Sequence, residues 1–328
     1  MGILYISEAD VAALVDMPQA LLAVEEAFRR LSAGEAESVP RVRARAKGIM
    51  LHGMMAAAGY AGYVGWKCYT TTRTAAQFHV GLYEQSTGSL VALIEADYLG
   101  RLRTGATTGV ALRLMASPEA ADVGLFGTGR QAETQLEAAA SVLALRQAFV
   151  YSHSQERREA FAERMSARLA IEVTPVDRPQ EAAEDLPIVI TATTSTTPVF
   201  DGAWLAEGTV VCAVGSNALG RAEIDSTTVR RADVVVCDSV AGCRNEAGDF
   251  VDALEKGIFD WTRAVDLSDV VAGRATGRSR TGGIGLFKSV GMAIEDLALA
   301  VPLYELAKQT GRGVMWETAQ ESTTDIGR

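Results

Sequence analysis

The sequence predicts an α/β protein whose two halves differ in kind, and three observations predict it. From Asp122 onward, nearly all-apolar segments (DVGLFG, QAFVYS, IEVTPVD, LPIVITATT, GTVVCAVG, ADVVVCDS) are separated mostly by helical stretches or loops. Strands apolar on both sides belong to a parallel sheet covered by helices on each face. Residues 40–100 have another texture: GIMLHGMMAA, YAGYVGWKCYT, QFHVGLYEQ and GSLVALIEA are divided by Gly and Ser turns, as in an antiparallel sheet. Third, the run DVGLFGTGRQAETQLEAAA sets glycines at the junction between a strand and a helix.

The elements follow in order. Residues 8–33 carry apolar positions at helical spacing broken near Met17-Pro18, which predicts two helices with Pro18 opening the second. The antiparallel strands come next, and YLGRLRTGATTGVALRLMAS (98–117) returns to helical character. In the second half RQAETQLEAAASVLAL joins the first two strands and SQERREAFAERMSARL the next two. GRATGRSRTGG (273–283) is the expected mobile loop, and GMAIEDLALAVPLYELAKQTG (291–311) is a closing helix.

With 328 residues, the chain can hold two domains with a sizeable core, and 48% hydrophobic with 22% charged residues suits a globular protein. A net charge of −10 argues against nucleic acid as the main partner, since phosphate binding needs clustered Lys and Arg. No apolar run is long enough for a bilayer, so no membrane role is expected. The start MGILYISEADV lacks the pattern of a signal peptide, and Cys68, Cys212, Cys237 and Cys243 show no CxxC spacing. These features lead to the expectation of a cytoplasmic protein with reduced thiols. His52, His79 and His153 stand at unrelated spacings, which argues against a zinc site.

Gly127-x-Gly129-x-x-Ala132 has a physical meaning in its context. The first glycine allows a tight turn, the second lets backbone approach a pyrophosphate, and Ala132 permits close helix–strand packing. The following helix N-terminus offers donors to the anion, so a Rossmann-type NAD(P) site is expected. An NAD site calls for Asp or Glu at the end of the second strand, to bind the ribose 2′-hydroxyl. This strand instead ends Ser152-His153-Ser154, with Arg157 and Arg158 beyond. The hydroxyls and an Arg suit a 2′-phosphate, which favours NADP over NAD or allows both. Those arginines equally suit the exposed start of a helix.

A nicotinamide enzyme also needs groups that bind substrate and manage one proton. Candidates are Arg41 in VPRVRAR, Lys67 in GWKCY, and Arg103 with Thr104 and Thr107 in RLRTGATTG. Lys67 sits among apolar and aromatic neighbours, where burial lowers its pKa and makes it a plausible proton donor. Arg41 and Arg103 can grip a carboxylate with paired hydrogen bonds, or serve as surface ion-pair partners.

The chain resembles the ornithine cyclodeaminase/μ-crystallin family over nearly its full length. The matching pieces are PRV at Arg41, GWK at Lys67, RTGATTG at Arg103, GTGRQA at Gly127, VGSNALGRAEID at Gly215 and LFKSVGMAIED at Lys288. The resemblance implies a discontinuous α/β substrate-binding and dimerisation domain (1–115 plus 298–328) and a Rossmann domain (116–297), with the active site between them. It implies that Arg41, Lys67 and Arg103 hold the substrate carboxylate and that Lys67 also handles the proton. It puts Gly127, Gly129, Arg130 and Gln131 in the dinucleotide loop. Thr104, Thr107, Thr193, Val214, Gly215 and Ser289 are expected on the cofactor side, joined by Ser152, His153, Ser154 and Arg157. A homodimer is the implied assembly.

Members of this family include cyclodeaminases of ornithine and lysine, alanine dehydrogenases, ketimine reductases, opine-like synthases and μ-crystallin, which binds NADPH and a hormone. The position of Asn217 is a catalytic aspartate in the cyclodeaminases and archaeal alanine dehydrogenases, and a glutamate lies near the position of His52 in the cyclodeaminases. Both carboxylates are replaced here. Cyclisation of ornithine needs deprotonated amines at two stages, whereas a protonated C=N accepts hydride directly. The amide of Asn217 therefore favours reduction of a small, cyclic imino acid, with Asn217 orienting the imine; alternatively it only caps the segment after its strand. A cyclodeaminase or alanine-type dehydrogenase would have to use another acid, such as Glu223 or Asp225. A binding protein for NADP(H) and a small ligand is the reading from a different class.

Overall fold

The computed structural model describes residues 2–279 and 282–317. The chain begins with β1 (Gly2–Ile6), α1 (Glu8–Leu14) and α2 (Met17–Ser32). Ser7 and Asp16 close reciprocal capping boxes at the two helix starts, and Pro18 occupies the first turn of α2, where a missing N–H costs nothing. Residues 8–33 thus form the two helices expected, because these signals are local.

β2 (Glu37–Ser38), β3 (Val42–Ala46), β4 (Ile49–Ala58), β5 (Tyr63–Thr72), β6 (Ala76–Glu84) and β7 (Leu90–Glu95) come next. β4 to β7 form an antiparallel meander, β2 and β3 both pair with β4, and β1 joins β7 in parallel. Register puts His52 opposite Tyr69 and Met54 opposite Lys67, with Phe78 and Val80 completing the same face. The other face leaves Ile49, Leu51, Met55 and Val64 exposed. α3 (Asp97–Met115) then runs between the two halves, buried along most of its length. Its glycines are packing residues: a Cβ on Gly105 would lie 2.4 Å from the Thr134 carbonyl oxygen.

The second half contains β8 (Asp122–Phe126), α4 (Arg130–Val142), β9 (Gln147–Tyr151), α5 (Gln155–Leu169), β10 (Glu172–Pro175), β11 (Ile188–Thr191) and β12 (Val210–Ala213). It continues through α6 (Ser226–Arg231), β13 (Ala232–Cys237), α7 (Val240–Glu246), α8 (Val251–Glu255), β14 (Ala264–Asp266), α9 (Leu267–Val271) and β15 (Ile284–Lys288). All pairings are parallel, in the order β10-β9-β8-β11-β12-β15-β13-β14. The six expected strands are present with two more. β15 is fully buried between β12 and β13, yet its five residues follow a Gly/Arg-rich loop and carry a lysine, which hid it. Of the loop expected at 273–283, residues 280–281 lie outside the described residues.

α10 (Ala293–Thr310) and β16 (Val314–Glu317) return to the first sheet, where β16 pairs antiparallel with β1. α10 packs across β4, β5 and β6 and against α2 and α3. The expected domain boundary at 297/298 falls inside this single helix. The expected extension to 328 reaches residues outside those described. Among the described residues no helix is long and apolar enough to cross a membrane.

Candidate active site

Strand alternation turns Lys67 to the inner face of β5, beneath α10 and beside α3, where only 3% of it is exposed. Its Nζ donates to Asp296 Oδ1 at 2.7 Å and lies 5.6 Å from the Phe78 ring centre. A Cβ on Gly100 would stand 2.8 Å from Nζ, so glycine at that helix position leaves room for the ammonium. Burial pulls Lys67 down to about 8; Asp296 favours its charged form, and Arg103 and Arg41 oppose it.

Arg103, on α3, donates from Nε to the same Asp296 Oδ1 at 3.1 Å and pairs through Nη1 with Glu295. Burial disfavours this guanidinium, but the two carboxylates outweigh it and hold its pKa above the usual value. Burial pushes the Glu295 carboxyl up to about 7 against the pull of Arg103. Arg41, just before β3, reaches across to the parallel sheet. Its Nη2 donates to the carbonyls of Val290 (2.9 Å) and Gly291 (3.3 Å), and Nη1 pairs with Glu246 at the end of α7. Arg43 joins Glu246 at 2.6 Å and donates to the Asn217 carbonyl at 3.0 Å.

Arg41 and Arg103 thus meet the turn after β15, Lys67 shares Asp296 with Arg103, and Arg43 meets the loop after β12. Arg41 Nε, Glu295 Oε1 and Asp296 Oδ2 are buried there without a hydrogen-bond partner among the described residues. Such atoms are costly unless a ligand or water completes them. An aromatic wall closes one side: His52 stacks on Tyr69 (centroids 4.1 Å) and Tyr69 on Phe78 (5.0 Å). Burial, with Arg43 nearby, pulls His52 down to about 4, so it is neutral near pH 7.

The other side is the crevice where strand order reverses between β8 and β11, the place a doubly wound sheet offers a ligand. Gly127 follows β8 with φ +109, and a Cβ there would meet the Ala192 carbonyl at 2.6 Å. Gly129 is the N-cap of α4; no side chain caps the helix and the space beside Gly129 is open. The uncapped N–H groups of α4 thus fit a dinucleotide pyrophosphate. From β8 to β15 is three strands, on the order of 15 Å, and the turn at Gly127 and the turn that carries Gly291 lie at the same end of the parallel sheet.

The remaining cofactor candidates divide. Thr193 and Gly215 lie together at the ends of β11 and β12, because Glu223 accepts from the N–H of both and from the Thr193 hydroxyl at 2.6–2.7 Å. Val214 is tied to Thr191 by its N–H. Ser152 and Ser154 sit past β9, Ser154 capping α5, while His153 and Arg157 are exposed. Arg158 instead turns back to Asp177 and the Ser152 carbonyl. Arg130 is exposed and pairs with Asp97, and Gln131 Oε1 is buried without a hydrogen-bond partner among the described residues. Thr104 donates to the Gly100 carbonyl, within α3.

Two of the residues expected on the cofactor side are enclosed. Thr107 is wholly buried and its hydroxyl donates to the Arg103 carbonyl within α3. Ser289 is also buried, and its hydroxyl donates to Asp238, which accepts from the Val290 and Gly291 N–H groups too (2.6–2.8 Å). It braces the turn that brings Gly291 against Arg103. Of the substitute acids, Glu223 accepts through both oxygens from backbone and Thr193, and Asp225 caps α6. What the motifs did not single out are Glu246, Glu295 and Asp296. The signal available for the last two was an acidic pair inside an otherwise apolar helix, a combination that burial makes costly unless cations meet it.

The ornithine cyclodeaminase/mu-crystallin family profile matches residues 4–311. A Delta(1)-pyrroline-2-carboxylate reductase of Bacillus cereus is 33% identical over 235 residues, 71% of this chain and 72% of that protein. A Delta(1)-pyrroline-2-carboxylate/Delta(1)-piperideine-2-carboxylate reductase of Azospirillum brasilense is 34% identical over 301 residues, covering 88% and 91%. Among solved structures, the Thermococcus litoralis Delta(1)-pyrroline-2-carboxylate reductase in complex with NADH and L-proline has a TM-score of 0.91 at 33% identity, covering 95% of this chain and 99% of that one. An archaeal alanine dehydrogenase dimer with bound NAD has a TM-score of 0.91 at 29% identity, covering 97% and 99%. The chain belongs to the ornithine cyclodeaminase/μ-crystallin family.

Proposed function

We propose that this protein is an NAD(P)H-dependent reductase of small cyclic imino acids, such as pyrroline- or piperideine-2-carboxylate, to the corresponding amino acids. The observation that carries this is Lys67: a buried lysine held near pKa 8, paired with Arg103 through one carboxylate, in a site that lacks a free acid at Asn217 or His52. Both reductase relatives and the proline-bound neighbour are named for this substrate class.

When bound, the nicotinamide supplies hydride to the imine carbon. The substrate carboxylate lies on Arg103, Lys67 and the free Nε of Arg41. Lys67 gives its proton to the imine nitrogen, so the C=N bond becomes CH–NH, and solvent recharges the amine. Asn217, half-buried beside this path, orients the imine, and the His52–Tyr69–Phe78 wall keeps water from one face.

NADPH is favoured over NADH, since no carboxylate stands at the end of β9 and Arg157 is free to meet a 2′-phosphate. The Rossmann unit runs from residue 116 to the turn before α10, five residues short of the expected boundary at 297, and α10 with the remainder forms the substrate domain. We place the protein in the cytoplasm as a homodimer joined through the exposed face of Ile49, Leu51, Met55 and Val64, in keeping with the dimeric alanine dehydrogenase. The test is absorbance at 340 nm with each cofactor across a panel of cyclic imines, beside ornithine and alanine. Imine-dependent loss of NADPH supports the proposal; ornithine turnover with ammonia release, or no turnover at all, removes it.

A further inference from the structure

The reaction proposed above leaves Asp296 without a task. It lies in the first turn of α10, wholly buried, where the helix N-terminus favours negative charge but burial penalises it. A single oxygen, Oδ1, accepts from Lys67 Nζ at 2.7 Å and from Arg103 Nε at 3.1 Å. Glu295, its neighbour, holds Arg103 from the other end through Nη1. The clamp thus joins β5, α3 and α10, elements far apart in the chain.

The charged groups that face Lys67 are Asp296 from α10, Arg103 from α3 and Arg41 from the segment before β3; β6 contributes the Phe78 ring. Burial and two of those three groups drive the proton off, and Asp296 opposes them. Arg103 has a second carboxylate in Glu295, so loss of Asp296 falls mainly on the lysine.

We propose that Asp296 is the positioning residue of this site, fixing Lys67 and Arg103 at one spacing and keeping the lysine an ammonium that can bind a carboxylate and protonate an imine. The destination of the proton rests on the reductase reading; the hold on Lys67 does not. The chain has five lysines, so [13Cε]lysine NMR can follow Lys67, its signal identified by its loss in Lys67→Arg. In the wild type Lys67 titrates near 8. In Asp296→Asn the midpoint falls by about one unit or more, the upper limb of kcat/KM against pH moves down with it, and KM for pyrroline-2-carboxylate rises roughly tenfold. NADPH affinity stays unchanged. An unmoved Lys67 midpoint in folded Asp296→Asn overturns the proposal.

If that variant does not fold, Asp296→Glu decides: it keeps the charge and shifts the oxygen, so KM must rise while the Lys67 titration holds, and a wild-type KM rejects the role. A wild type that reduces no imine would defeat the reductase reading, and the NMR titration would still decide the hold of Asp296 on Lys67.

Discussion

Around Lys288 and around Lys67 the protein buries two ionic clusters, one under each side of the cleft. Lys288 Nζ meets Asp249 at 2.7 Å and the Ser216 carbonyl at 2.8 Å. Asp249 Oδ1 accepts the N–H groups of Glu223 and Ile224, and Glu223 in turn holds Thr193 and Gly215. Asp249 and Glu223 raise the pKa of Lys288 above its usual value although burial works against them. That cluster spends its charges inside the protein and ties the ends of β11, β12 and β15 together. The Lys67 cluster is unfinished: among the described residues Glu295 Oε1, Asp296 Oδ2 and Arg41 Nε have no hydrogen-bond partner, and burial has drawn its lysine down. A closed network serves stability, whereas an open one carries a cost that only a ligand relieves.

That contrast can be broken by experiment. Lys288→Met should cost about 3–5 kcal/mol, because it strands Asp249 and Glu223 without a cation. Urea unfolding would read this, and kcat per folded molecule should stay within a few-fold; a stable Lys288→Met protein would abolish the distinction. Lys67→Met should do the reverse, lowering kcat/KM for cyclic imines by about 10²–10³ while its urea midpoint stays near wild type, since Asp296 keeps Arg103.

Glu295→Gln sharpens the comparison through pH. The folded Glu295 carboxyl is pushed up to about 7 by burial, above its unfolded value. Its contribution to stability is present in full below the unfolded pKa and is lost as pH rises through about 7. The stability difference between wild type and Glu295→Gln should therefore change across that window, measured by urea unfolding at pH 4, 5.5, 7 and 8. A constant difference would mean the carboxyl titrates normally. The smallest effect is expected of Asn217→Asp, which should leave imine reduction unimproved; a clear gain would show that the site wanted an acid there.

The sheet of the second half was legible because its strands are apolar throughout and its glycine turn has one physical use, and α1 and α2 were legible from their caps. The cations were also found as candidates, since a lysine in an aromatic strand is conspicuous. Their partners were not. Thr107 entered as part of RTGATTG, and what its hydroxyl meets came only from the fold, since α3 turns it onto its own backbone.

Patterns repeating within a few residues, such as alternation, capping and the strand–glycine–helix junction, are written in the sequence itself, because backbone geometry relates each residue to its near neighbours. The pairing of Lys67 with Asp296, 229 residues apart, and of Arg41 with Glu246, 205 residues apart, came only from the tertiary structure. Whether a buried charge is tolerated depends on what meets it in space: α10 packs across the first sheet and brings Asp296 to Lys67, and Glu246, at the end of α7 on the second sheet, meets Arg41.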